Sequence, residues 1–140
     1  MAITQTMCTS FKEELLEGTH DLDTHTLKLA LYTSSATLGA STTAYSTTNE
    51  ASGTGYTAGG ATIANVVVAS SGTTAFVDFD DVSFTSATIT DAAGALIYNS
   101  SASNKAIAVI DFGSTKSVSG GTLTITLPTA SATTALIRLS

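Results

Sequence analysis

The sequence predicts an all-β protein: an antiparallel β-sandwich of jelly-roll type with one short N-terminal helix. Three observations predict it. Short apolar runs alternate with period two along most of the chain. Clusters of Gly, Ser, Asn and Asp separate them at turn-like intervals. Only one segment, near the start, carries a helical stripe.

That segment is Thr4–Gly18, where Met7, Phe11 and Leu15 recur at helical spacing and Cys8 and Leu16 widen the stripe. Thr4 or Thr6 is expected to cap its start, and Gly18 suits the position just past its end. Glu13, Glu14 and Glu17 crowd the C-terminal end, where the helix dipole disfavours anions. Such a helix needs a surface to dock on. Its stripe of Met7, Phe11 and Leu15 is a candidate contact with another copy or with a larger assembly, and the alternative is packing on its own sheet.

Thr19–His25 reads as a polar turn holding His20, His25, Asp21 and Asp23. Imidazole and carboxylate can bind metal, but the spacing matches no known ligand motif, and Asp favours turns by bonding its own backbone. Thr26–Thr33 is the clearest strand, with Leu27, Leu29 and Leu31 on one face and Lys28, Ala30 and Tyr32 on the other. We expect it to be the first core strand.

Ser34–Gly60 is rich in Thr, Ser, Ala and Gly, with Leu38, Tyr45 and Tyr56 as its large anchors. A loop of that length inside a domain suggests an extended, packed excursion with one or two short strands. Gly53–Ala58 formally fits G-x-G-x-x-G/A, but no buried strand precedes it and no helical pattern follows, so a glycine-permitted turn or bulge is expected.

Further strands are expected at Thr62–Ala69, Ala75–Phe79, Ser83–Thr90, Ala95–Tyr98, Ala106–Phe112, Thr122–Leu127 and Thr134–Leu139. The expected separators are Ser70–Gly72, Asp91–Gly94, Asn99–Asn104, Gly113–Lys116, Gly120–Gly121 and Pro128.

The bulk numbers narrow the function classes. A chain of 140 residues is expected to form one domain, with residues 1–18 as an N-terminal arm and 34–60 as the excursion. Charged residues make up 11%, less than half of the usual ~25%, so the surface is polar but uncharged, which suits a chain packed in an assembly and equally a Thr-rich β protein of any role. The net charge is −6 with no basic cluster, which argues against nucleic acid and anionic membranes as partners. No apolar run approaches the ~20 residues of a membrane span, and the N-terminus does not read as a signal peptide. The one cysteine, Cys8, precludes an intrachain disulfide and is expected to be a small buried hydrophobe. Asn99-Ser100-Ser101 matches the glycosylation sequon, without secretion to give it meaning.

Nothing singles out a reaction, so no enzyme and no cofactor are expected. Asp78, Asp80 and Asp81 are the densest acidic patch and a conceivable calcium site, but they lack the glycine and distal Glu of a calcium loop, and a solvated strand edge that guards against sheet-to-sheet aggregation is the reading expected first. No nucleophile elbow is present, and a sugar platform would have to use Tyr32, Tyr45, Tyr56 and Tyr98.

The text of the chain does resemble a known group. Met7–Gly18, Leu27–Leu38, Thr42–Glu50, Ser52–Gly60, Gly94–Ser101, Ser103–Ala106 and Asp111–Gly113 together resemble small virion structural proteins of tailed bacteriophages, including phages of aquatic bacteria. The likeness runs nearly end to end, while Thr19–His25 looks more compact than in that group. It implies a particle component made in the host bacterial cytoplasm and present in many copies of the virion. A capsid decoration (cement) protein is expected first, binding the major capsid protein as a dimer or trimer of itself. A tail component (tube, collar or fibre module) and a carbohydrate- or receptor-binding module are the alternatives.

Overall fold

A computed structural model of the protein describes residues 2–131 and 133–140. Its elements in chain order are β1 (Thr6–Met7), α1 (Thr9–Leu16), β2 (Leu27–Tyr32), β3 (Gly53–Thr54), β4 (Ala61–Thr62), β5 (Val67–Ser71), β6 (Thr74–Asp78), β7 (Val82–Asn99), β8 (Lys105–Ile125) and β9 (Ile137–Leu139). Among the described residues the protein is mostly β, with antiparallel sheets and one short helix. One sheet is six-stranded in the order β1-β8-β7-β2-β4, with β3 on the far half of β7; the other is three-stranded, β5-β6-β9.

The organising unit is the long hairpin β7–β8, closed by Ser100–Asn104, where Ser103 and Asn104 take left-handed backbone angles. Ser83–Thr90 and Ala95–Tyr98 are therefore one strand, and so are Ala106–Phe112 and most of Thr122–Leu127. The expected turns at Asp91–Gly94, Gly113–Lys116 and Gly120–Gly121 are instead bulges inside these strands. Asp91, Gly113 and Gly120 have positive φ, and the register shifts between Ala87 and Ile89, Ile89 and Ala92, and Ala92 and Gly94. Turn-forming residues and bulge-forming residues are the same residues, because both need the left-handed region. Pairing with a long partner strand decides which is made. The opposite happens at Thr62–Ala69, which Asn65, at φ 50°, breaks into β4 and β5.

The N-terminal arm also departs from expectation. Thr6 and Met7 are not helical; they pair with Val109 and Ala108 of β8. The helix begins at Thr9 behind Cys8, so neither Thr4 nor Thr6 caps it, and no side chain does. Backbone carbonyls replace the cap: Cys8 N–H donates to Ile107 O and Thr9 N–H to Ala40 O, both at 2.9 Å. The C-terminus is as expected. Gly18, at φ 79°, donates to Leu15 O (3.3 Å) and Thr19 N–H donates to Glu14 O (2.9 Å), the paired bonds of a Schellman stop.

β2 is buried on both faces rather than one. Leu27, Leu29 and Leu31 are fully buried, and so are Ala30 and Tyr32; only Lys28 is partly exposed. Its second face is covered because the excursion folds over it. Tyr32 Oη donates to Ser46 O (2.6 Å), and Tyr98, cross-strand from Lys28, stacks on Tyr45 at 4.7 Å. Each buried leucine contributes roughly 1.5–3 kcal/mol, so β2 anchors the core together with Ala95–Tyr98 of β7, with which it pairs.

The excursion is tied at several points. Leu38 bridges Ile3, Ala44 bridges Lys105, Glu50 bridges Tyr32, and β3 pairs with Thr88 and Ile89 of β7. Gly60 ends it against β2 at φ 79°, where a Cβ would fall 1.8 Å from Leu29 O, so no other residue fits there.

Candidate functional site

Two polar clusters lie on opposite faces of β2 and β7. On the excursion side, Glu50 gathers the tyrosines. Its Oε1 accepts Tyr56 Oη–H (2.6 Å) and Gly59 N–H (2.7 Å), and its Oε2 accepts Tyr45 Oη–H (2.7 Å). Tyr56 Oη also accepts Leu31 N–H from β2 (2.9 Å), and Tyr98 Oη donates to Gly59 O (2.6 Å). The four tyrosines, far apart in sequence, thus fasten the excursion to the core strands. Their hydroxyls all have partners, and Tyr32 and Tyr98 are buried, so they do not form an exposed sugar-stacking platform.

Burial pushes all four phenols above their ordinary value of 10.0, Tyr32 to about 12, and the nearby Glu50 charge adds to the effect. The folded state therefore favours the neutral phenols. The stability this gives is whole below the unfolded value near 10 and is lost as pH rises through it towards the folded values. We expect tyrosinate absorbance to appear in the same steep step as the loss of the circular dichroism signal. Gradual ionisation near pH 10 with the fold intact would show that the hydroxyls are free.

On the other side, Asn99 is fully buried and joins the two histidines. Its Oδ1 accepts Ser101 N–H (3.0 Å), which sets the amide orientation. Its Nδ2 therefore donates one hydrogen to His20 Nδ1 (3.0 Å) and the other to His25 Nδ1 (2.9 Å). His20 must then carry its proton on Nε2, which donates to Glu14 Oε1 (3.1 Å). Glu14 Oε2 meets Lys105 Nζ at 2.9 Å, and Phe11 packs edge-on to the His20 ring at 5.0 Å. Burial would push the Glu14 carboxyl up, but Lys105 and His20 outweigh it and hold it below the usual carboxylate range. Glu14, placed unfavourably for the helix dipole, is thus stabilised by tertiary partners.

The sequence-predicted site residues are dispersed. The ring nitrogens of His20 and the Nδ1 of His25 face protein partners, and no group of His, Cys, Asp and Glu among the described residues could hold a metal ion. Asp78 is exposed on β6, Asp80 accepts Asn65 Nδ2–H (2.7 Å), and Asp81 accepts Leu127 N–H (2.8 Å), so the acidic run serves three separate places. Gly53 and Gly55 lie against the β7 backbone, a close approach that a side chain would block, and make no phosphate loop. Cys8 is buried, and burial pushes its thiol up to about 11, away from nucleophilic use. Asn99, the sequon asparagine, is inaccessible to a glycosylating enzyme.

Of the stripe, Phe11 is 1% exposed and packs on the chain's own core, and Met7 is partly buried in β1. Leu15 is half-buried, while its neighbour Leu16 is 90% exposed. Leu15 lines the feature that sequence reasoning missed: a groove of about 480 Å³ between α1, the following turn and the three-stranded sheet. No sequence signal marks it, since its residues come from four separate stretches. Comparisons with protein families, with curated proteins and with solved structures find no match to this chain.

Proposed function

We propose that this chain is a structural component of a tailed-bacteriophage particle, and in the first place a decoration protein on the outside of the capsid. The observation that carries it is where the two kinds of surface lie. The tyrosine hydroxyls, the Glu50 and Glu14 carboxylates and the His20 imidazole have partners within the chain, whereas exposed Val68 and Leu139 gather beside one groove. Exposed apolar side chains gathered beside a groove mark a surface that binds. The low charge and the tied-down excursion suit a part that works outside the cell, and the text resemblance supplies the particle.

We read the two antiparallel sheets as the layers of an open β-sandwich, with α1 closing one side. In a decoration role the mechanism is mass action: many copies bind the assembled shell and not its free subunits, and so stabilise the shell.

The test is cryo-electron microscopy of the phage that encodes the chain. Density repeated over the icosahedral faces is expected. Density confined to the tail axis would make it a tail component, and absence from the particle would overturn both.

A further inference from the structure

We propose that the groove beside α1 is a docking site for a short apolar segment of another protein, flanked by lysine or arginine. The groove names a contact face within the decoration role, and it rests on that role only for which protein carries the segment.

Strand register explains why the groove exists. Val68, Val77 and Ile137 are cross-strand neighbours, so they share one face of the three-stranded sheet, and Leu139 follows two residues on from Ile137. That face turns towards Leu15 and Leu22. Val77 and Ile137 are covered, at 5% and 2% exposure. Val68 and Leu139 are not, at 46% and 54%: α1 packs on β8 and brings only Leu15 to this groove. The result is an inner sheet face, built to be buried, with its outer end open.

Charge decides the occupant. Asp21 and Asp23 line the groove, both exposed; no lysine or arginine does, and the one imidazole there, His20, is held between Asn99 and Glu14. Hydrogen bonds from Thr24 and from the turn backbone hold the Asp21 carboxyl below its usual range, so it stays ionised. A second copy would bring an identical acidic rim against this one, in a chain of net charge −6. A segment with an apolar centre and basic flanks matches both features at once.

The test uses the whole protein and a fluorescent synthetic peptide, leucine-valine-leucine flanked by lysine pairs, with a glutamate-flanked peptide as control. Anisotropy is expected to show the lysine peptide binding about tenfold or more tightly than the control, and losing affinity as salt rises. Val68→Ser and Leu139→Ser, both at partly exposed positions, are expected to weaken it about fivefold or more with the melting temperature little changed. Asp23→Lys is expected to reduce the preference for lysine flanks. Equal binding of both peptides, no binding, or binding indifferent to Val68→Ser and Leu139→Ser would overturn the proposal. So would sedimentation showing a dimer that Leu139→Ser dissociates, since the groove would then be filled by a second copy. Peptide binding is read on the isolated protein, so it stands or falls separately from the particle location.

Discussion

Glu50→Ala is expected to destabilise the protein by about 3–4 kcal/mol, a large share of the ~5–15 kcal/mol of a typical domain. The substitution leaves Tyr45 Oη–H, Tyr56 Oη–H and Gly59 N–H without their acceptor. Each abandoned donor costs roughly 1–3 kcal/mol where water cannot replace the partner. In a chain of this size the melting temperature should fall by about 10 °C. Glu50→Gln discriminates the cause. With its oxygen at the Oε1 place, Gln still accepts from Tyr56 and Gly59. Its amide nitrogen then faces Tyr45 Oη, which can turn its proton away and accept. Tyr56 Oη has no such freedom, because it already accepts Leu31 N–H. A loss of about 1–2 kcal/mol is therefore expected for Gln. Denaturant unfolding of the two variants checks this. Equal, small losses would mean that the excursion is held by its backbone bridges and that the carboxylate adds nothing.

Asn99→Ala is the second large effect, about 2–3 kcal/mol, because His20 Nδ1 loses its partner in a buried site, while the partly exposed His25, which still accepts Asp21 N–H, and the exposed Ser101 N–H lose less. Asn99→Asp is the sharper experiment, being the same size. A carboxylate offers oxygens to two Nδ1 atoms that are themselves acceptors; His25 can answer by moving its one hydrogen to Nδ1, but His20, whose hydrogen is held on Nε2 by Glu14, regains its bond only when it is protonated. The folded variant then binds protons more tightly than the unfolded chain. Its stability is greatest below the imidazole range and is lost as pH rises through it. Asn99→Asp should thus be nearly as damaged as Asn99→Ala at pH 8 and recover by about 1–2 kcal/mol near pH 5. Thermal melts across that range read it. A pH-independent loss would mean that packing alone matters at this position.

These two residues also mark the border between what was legible in the sequence and what was not. The all-β class, the single helix with its glycine stop, the core leucines of β2 and the hairpin loops at Gly72 and at 100–104 follow from local patterns. Each rests on a period or on a backbone preference carried by a few neighbouring residues. Glu50 and Asn99 carried no signal, because their meaning comes from partners far along the chain: Tyr45, Tyr56 and Gly59 for one, His20 and His25 for the other.

Local sequence by itself thus determined which segments extend, which one coils and where the chain can reverse. Only the tertiary structure decided whether Asp91, Gly113 and Gly120 would turn or bulge, since their left-handed angles serve both and the length of the partner strand chooses. It likewise turned Thr6–Met7 from helix to strand by offering the edge of β8, and it left Val68 and Leu139 uncovered by packing α1 on β8. Periodicity along a strand says that a face will be apolar; what covers that face depends on the sizes and positions of elements distant in sequence.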